Sequence, residues 1–213
     1  MLHQNILNDH QLWLLDTLDL QEAGDFYLAG GTALALQIGH RTSIDFDFYT
    51  GESFDSLELL AVLREQLSDL DVQTQRQKTL RVLSGETELS FFVYPYALIR
   101  PTVAFKRFHL ASKEDIAAMK LIAIAQRGSQ RDFVDLYFLL QEYPLKELIS
   151  FVQEKFAGYQ ETLLLRALVY FDDAESASAR SGVRVLAKSY SWQKAKEYIV
   201  GEVKKYQLGA IKP

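Results

Sequence analysis

The stretch GGTALALQIGHRTSIDFDFY, residues Gly30 to Tyr49, decides how this chain is read. It opens on a glycine pair, passes through a short apolar run closed by Gly39, and ends on two aspartates one residue apart. The apolar residues Phe26 to Ala29 predict a strand that runs into a tight turn at the glycines. Thr32 to Ile38 predicts a helix stopped by Gly39, and Ser43 to Tyr49 a second strand. Side chains on a strand alternate, so Asp45 and Asp47 are expected on one face, with Ile44, Phe46 and Phe48 turned into the core. Two carboxylates so close repel, which raises at least one pKa unless a cation intervenes. Mg²⁺ removes that conflict, because it takes oxygen ligands and binds through one or two carboxylates plus substrate phosphates.

An Asp-x-Asp triplet alone is common and reads first as a solvated strand face. The glycines beside it change the balance. They permit tight backbone geometry and close approach by a ligand, and the free N–H groups that open the next helix can receive phosphate. The Thr32 hydroxyl adds a candidate donor. This is neither a P-loop nor a G-x-G-x-x-G turn, since neither spacing is present. Arg41 either holds a phosphate or pairs with a surface acid.

Upstream, Ile6 to Leu20 predicts a helix with an apolar stripe. Downstream, Ser56 to Leu67 predicts another, and Val72 to Leu83 and Glu86 to Val93 predict two strands joined at Ser84-Gly85. Pro95 and Pro101 bracket a stiff connection, with a short strand at Val103 to Phe105. Tyr94-Pro95-Tyr96 reads as a packed aromatic turn more readily than as a base-stacking pair. Beyond Leu110 the pattern becomes helical: a helix to about Gln126, with Ser112 and Asp115 as a capping box, then Arg131 to Gln141, Lys146 to Phe156, Glu161 to Val169 and Ser191 to Tyr206. The polar segment Asp172 to Arg184 is assigned no element. The expected fold is α+β, a mixed sheet with flanking helices over residues 1–110 followed by a helical part over 111–213.

Composition bounds the function. With 28 acidic and 23 basic residues the net charge is -5, which opposes binding of nucleic acid through the overall field but allows a local basic approach such as Arg100, Lys106, Arg107 and Lys113. The absence of cysteine excludes disulfides, thiolate catalysis and sulfur-bound zinc. No secretory leader or spanning helix is legible, so a cytoplasmic protein with no membrane partner is expected. His3, His10, His40 and His109 have no metal-ligand spacing, and His40 reads as a turn residue.

In the helical part, Ile116, Lys120 and Ile124 are spaced by four and share a helix face. Lys120 is therefore in line with apolar residues: it either reaches a triphosphate or snorkels at the edge of a helix seam. Arg131 can pair with Asp135 along the next helix, and Asp132 can face Lys120 or Arg127.

GGTALALQIGHRTSIDFDFY resembles the first motif of the AbiEii/AbiGii toxin family of nucleotidyltransferases, in the DNA polymerase β-like superfamily. Gly30, Gly31, Thr32, Arg41, Ser43, Asp45 and Asp47 match that motif. Asp115, Lys120, Arg127, Arg131, Asp132, Asp135 and Tyr137 stand at places matching its later motifs, and ALVYFDDAE, from Ala167 to Glu175, resembles its C-terminal part. The resemblance implies a nucleotidyltransferase-like sheet and a Mg²⁺-dependent transfer from a nucleoside triphosphate. Asp45 and Asp47 would be catalytic and bind the metal. Gly30, Gly31, Thr32, Arg41 and Ser43 would bind the nucleotide, Lys120 would hold the triphosphate, and Asp132 would position Lys120 or act as a base. It also implies a toxin–antitoxin or phage-defence role, with transfer RNA as an acceptor and a cognate antitoxin as a partner. One departure stands out: Ser90 occupies the place where a third carboxylate is expected, with Glu88 on the same strand face. That leaves two alternatives open, a relative that binds a nucleotide or a protein without catalysis, and a transferase acting on a small molecule.

Overall fold

In a computed structural model, described over residues 2–176 and 183–211, burial alternates along Phe46–Thr50 (β2): Phe46, Phe48 and Thr50 are buried, Asp47 and Tyr49 half-buried. Phe48 stacks on Phe91 at 5.1 Å between centroids and packs against Phe108 at 5.5 Å. These rings fix the strand from below, because buried aromatics carry much of a core's burial energy. The polar residues of β2 are thereby held on the opposite face.

Tyr27–Ala29 (β1), β2, Asp71–Arg76 (β3), Thr79–Ser84 (β4), Thr87–Val93 (β5), Val103–Phe105 (β6) and Phe108–Leu110 (β7) form one mixed sheet in the order β3-β4-β5-β2-β1-β7-β6. The β1/β2 pair is antiparallel, with Ala29 opposite Asp47. The β2/β5 pair is parallel, with Asp47 opposite Ser90, and β4 runs antiparallel to β5 with Arg81 opposite Ser90. Helices Asp9–Thr17 (α1), Gly30–Ile38 (α2) and Ser56–Gln66 (α3) accompany this sheet. With them it makes up a first compact unit, Met1–Ser112.

The second unit, Lys113–Pro213, is helical among its described residues. It contains Lys113–Arg127 (α4), Gln130–Glu142 (α5), Leu145–Lys155 (α6), Glu161–Ala167 (α7), Asp172–Ser176 (α8) and Trp192–Ile211 (α9). The expected α+β architecture is the one observed.

Several boundaries differ from the sequence reading, each for a local reason. The first helix starts at Asp9, because Asn8 and Gln11 form a capping box there, and only a 3-10 turn at Gln4–Ile6 precedes it. Val72 to Leu83 is two strands, split at a turn where Lys78 adopts φ 69°. A left-handed lysine gives no turn signal in sequence. Strand β7 escaped notice because its three residues are too few for a period. The unassigned segment starts as α8, and its residues 177–182 lie outside the described ones.

The second strand begins at Phe46, not Ser43, and Ile44 is half-buried where a core position was expected. The reason is a set of side chains that take up the backbone groups a strand partner would have used. The buried amide of Gln11 donates to Ser43 O at 3.0 Å and Ile44 O at 2.8 Å, and the Thr32 hydroxyl donates to Asp45 O.

Candidate functional site

The site starts from the antiparallel pairing of β1 and β2. β1 ends where β2 begins, so the glycine turn that follows Ala29 lies beside Asp47. A parallel pair would have put them at opposite ends of the sheet. Gly30 has φ +66°, and a Cβ built on it would sit 2.6 Å from Asp47 Oδ2. Two conditions therefore select glycine: a left-handed backbone that L side chains rarely adopt, and a carboxylate in the space a methyl group would fill. The residue before α2, Ala29, provides no side-chain cap. The helix thus begins without a cap from the residue before it, and with the Asp47 carboxylate close to its first residue.

The approach segment is locked from three directions. Thr32 is 2% exposed. Its hydroxyl donates to Asp45 O and lies 2.6 Å from Ser43 Oγ. A hydroxyl has one proton, so with Thr32 donating to the carbonyl, Ser43 is the donor to Thr32. Arg41, also 2% exposed, reaches Thr42 O at 3.0 Å and Ser43 Oγ at 3.5 Å through Nη1. Gln11 completes the set; its Oε1 accepts from Asn8 N at 3.0 Å while its Nε2 holds Ser43 and Ile44. The structure thus brings Thr32, Arg41, Ser43 and Asp45 together as one hydrogen-bonded segment, and Gly30 and Asp47 as one close contact. Gly31 is half-buried in the first turn of α2. Thr32, expected as a phosphate donor, has its proton on a carbonyl and positions the aspartates' backbone. Gln11 was missed in the sequence, where a glutamine on a helix reads as surface.

Ser90 is 2% exposed, stands opposite Asp47 and donates to Glu88 Oε1 at 2.9 Å. Glu88 is also gripped by Arg81, Nε to Oε1 at 3.0 Å and Nη2 to Oε2 at 2.7 Å. The cross-strand row is therefore Ala29, Asp47, Ser90, Arg81, all on one face because paired residues point the same way. Among the described residues no group of three or more His, Cys, Asp or Glu side chains is arranged to hold a metal ion. Asp45 and Asp47, both half-buried, are the carboxylates the sequence reading assigned to a metal. Such a pair suits a hard cation that arrives with phosphate oxygens rather than one caged by protein alone.

Within the second unit, Lys120 Nζ bridges two buried carboxylates, Asp132 Oδ1 at 2.7 Å and Asp135 Oδ2 at 2.6 Å. Asp132 also accepts from Ser129 Oγ at 2.6 Å and Arg127 Nε at 3.1 Å. Burial alone raises the Asp132 pKa, but the Lys120 and Arg127 charges and the Lys120 and Ser129 hydrogen bonds outweigh it, leaving the carboxyl at about 2. Lys120 sits between Ile116 and Ile124 on a buried stripe, as its spacing implied, and its side chain is only 9% exposed. Asp115 and Lys155 form a second ion pair, 2.8 Å apart and fully buried.

Comparisons with known proteins give the family and the fold. A family model described as "Nucleotidyl transferase AbiEii toxin, Type IV TA system" matches residues 13–205. An uncharacterized protein of Aquifex aeolicus (strain VF5) is 39% identical over 188 residues, spanning 85% of this chain and 88% of that one. The crystal structure of JHP933 from Helicobacter pylori is similar in fold, with a TM-score of 0.60, 17% identity and complete coverage of both chains. A second Helicobacter pylori structure gives a TM-score of 0.59 at 17% identity, again over both whole chains. Among the described residues no helix is long and apolar enough to cross a membrane.

Proposed function

Because the chain belongs to the AbiEii nucleotidyl transferase toxin family, we propose that it transfers a nucleotide from a nucleoside triphosphate to an acceptor, with the Gly30 turn and the Asp45–Asp47 segment as the transfer site. The observation that carries this reading is the Asp47 carboxylate, whose Oδ2 lies 2.6 Å from where a Gly30 Cβ would be. The phosphate-receiving turn and the acidic strand are one surface.

In the transfer, a hydroxyl oxygen of the acceptor bonds to the α-phosphorus. The bond to the β-phosphate's bridging oxygen breaks, pyrophosphate leaves, and the hydroxyl proton is released. Asp45 and Asp47 would hold Mg²⁺, which would neutralise the charge that builds on the phosphate oxygens. Gly30 and Gly31 bring backbone N–H groups to the triphosphate. Thr32, Ser43, Arg41 and Gln11 keep the strand start in register, so the carboxylates meet the substrate in a preformed geometry. RNA, transfer RNA included, is the proposed acceptor, and a cognate antitoxin the proposed partner.

Incubation with Mg²⁺, labelled triphosphates and total transfer RNA tests the reading. Label transfer is expected from the wild type and should fall at least about a hundredfold in Asp47→Asn. Absence of transfer by the wild type with every triphosphate would overturn it. A second reading, a relative that binds nucleotide without turnover, is favoured by one observation: Ser90 faces Asp47 and the nearby Glu88 is held by Arg81. Calorimetry showing nucleotide bound tightly, with no transfer, would select it.

A further inference from the structure

On that reading of the transfer site, we propose that Arg81 is an acceptor-binding residue: its guanidinium, aimed by Glu88 and Ser90, receives a phosphate of the acceptor strand.

The argument begins with order along the sheet. The glycine turn lies on the β1 side of Asp47, whereas Ser90 and Arg81 lie on the β5 and β4 side. In phosphoryl transfer the entering and leaving oxygens lie roughly in line, on opposite sides of the phosphorus. With the triphosphate tail on the glycine side, the incoming hydroxyl arrives over β5 and β4. Strands are spaced about 4.8 Å apart, so the Arg81 backbone is about 10 Å from that of Asp47, within reach of a phosphate adjoining the attacking sugar.

The side chain is built for this. Arg81 is 43% exposed, so an anion can reach it. Its Nε and Nη2 are committed to Glu88 at 2.7 to 3.0 Å. Nη1 makes no hydrogen bond among the described residues, which leaves one edge of the planar fork for a ligand. Glu88 cannot swing, because buried Ser90 donates to the same Oε1 at 2.9 Å. Bidentate arginine gives both charge and direction, which a lysine does not. A purely structural surface pair needs no third partner and leaves no reason for a buried serine to fix the acid. The arrangement also gives Ser90 a purpose at the place where a carboxylate was expected: it anchors the acid that aims a cation.

The test uses the full chain and Arg81→Gln and Arg81→Lys variants, with total transfer RNA as acceptor probe. Arg81→Gln is expected to raise KM for RNA about tenfold or more and leave KM for the triphosphate within about twofold. It should also reduce the salt slope of RNA binding, log K against log salt, by about one phosphate's worth. Arg81→Lys should keep the slope and lose part of the affinity, which covers the case in which the glutamine variant folds poorly. A raised triphosphate KM with RNA binding unchanged would overturn the assignment, as would an unaltered RNA KM and salt slope in active Arg81→Gln. In both cases wild-type transfer survives, and the transfer reading with it. A wild type that transfers nothing removes both.

Discussion

Gly30 shows most directly what one residue contributes. Its backbone is left-handed, and its missing side chain is the space in which Asp47 sits. Gly30→Ala therefore combines backbone strain, about 1–2 kcal/mol, with displacement of the Asp47 carboxylate. We expect a modest fall in the denaturation midpoint and a far larger loss of transfer activity. Equal losses in the two measurements would show that glycine serves the fold alone. At this scale the sequence was legible in part. Asp45, Asp47 and the glycines stand out by type and spacing. The role of Thr32 does not, because a hydroxyl near glycines looks the same whether it meets a phosphate or a carbonyl. Gln11 was invisible, since its partners are carbonyls more than thirty positions away.

Among elements, the strand that carries Asp47 is shorter than its sequence pattern suggested, and Asp45 lies in the segment before it. A strand fully paired from Ser43 would commit the backbone around Asp45 to the sheet; side chains hold it instead. Period-two alternation read correctly from Phe46 onward, where aromatic burial enforces it, and failed before that, where hydrogen bonds from other elements decide. Direction was also illegible: nothing in Tyr27–Ala29 says that β2 returns antiparallel, yet that direction is what makes turn and strand adjacent. In the helical unit, α4 and α6 share the buried Asp115–Lys155 pair. Lys155→Met leaves a carboxylate buried without its cation, at a cost of about 3–5 kcal/mol. Denaturant unfolding should show that loss, and Asp115→Leu added to it should recover most of it. No recovery in the double variant would mean that the pair fixes something other than charge balance.

For the whole molecule, each compact unit carries one tryptophan, Trp13 in the first and Trp192 in the second. Trp192 packs against Phe133, next in sequence to Asp132, with ring centroids 6.1 Å apart. Asp132 has a folded pKa of about 2 against an ordinary 3.8. A depressed carboxyl stabilises the fold fully above its unfolded pKa, and that contribution is lost as pH falls toward the folded value. The denaturant midpoint followed through Trp192 in a Trp13→Phe variant should therefore drop between about pH 4 and pH 2. The contribution at stake is on the order of 2 kcal/mol. Asp132→Asn should remove that part of the slope; a midpoint equally pH-dependent with asparagine in place would assign the acid sensitivity elsewhere. The division into a sheet-bearing and a helical part could be read from the change of period after Leu110. The buried charges of the second part could not, because a lysine on an apolar stripe has the same spacing whether it snorkels or ends on two acids.

Gln11 ties the segment leading into the Asp47 strand to the front of the chain. Its one amide closes the N-terminal cap of α1 and clasps the carbonyls leading into Asp45. Shortening the protein from its beginning, as is often done to improve crystals or expression, would leave every strand of the sheet in place. It would also unfasten the clasp, so a trimmed preparation that keeps the sheet would still lose the hold on the segment leading into Asp45.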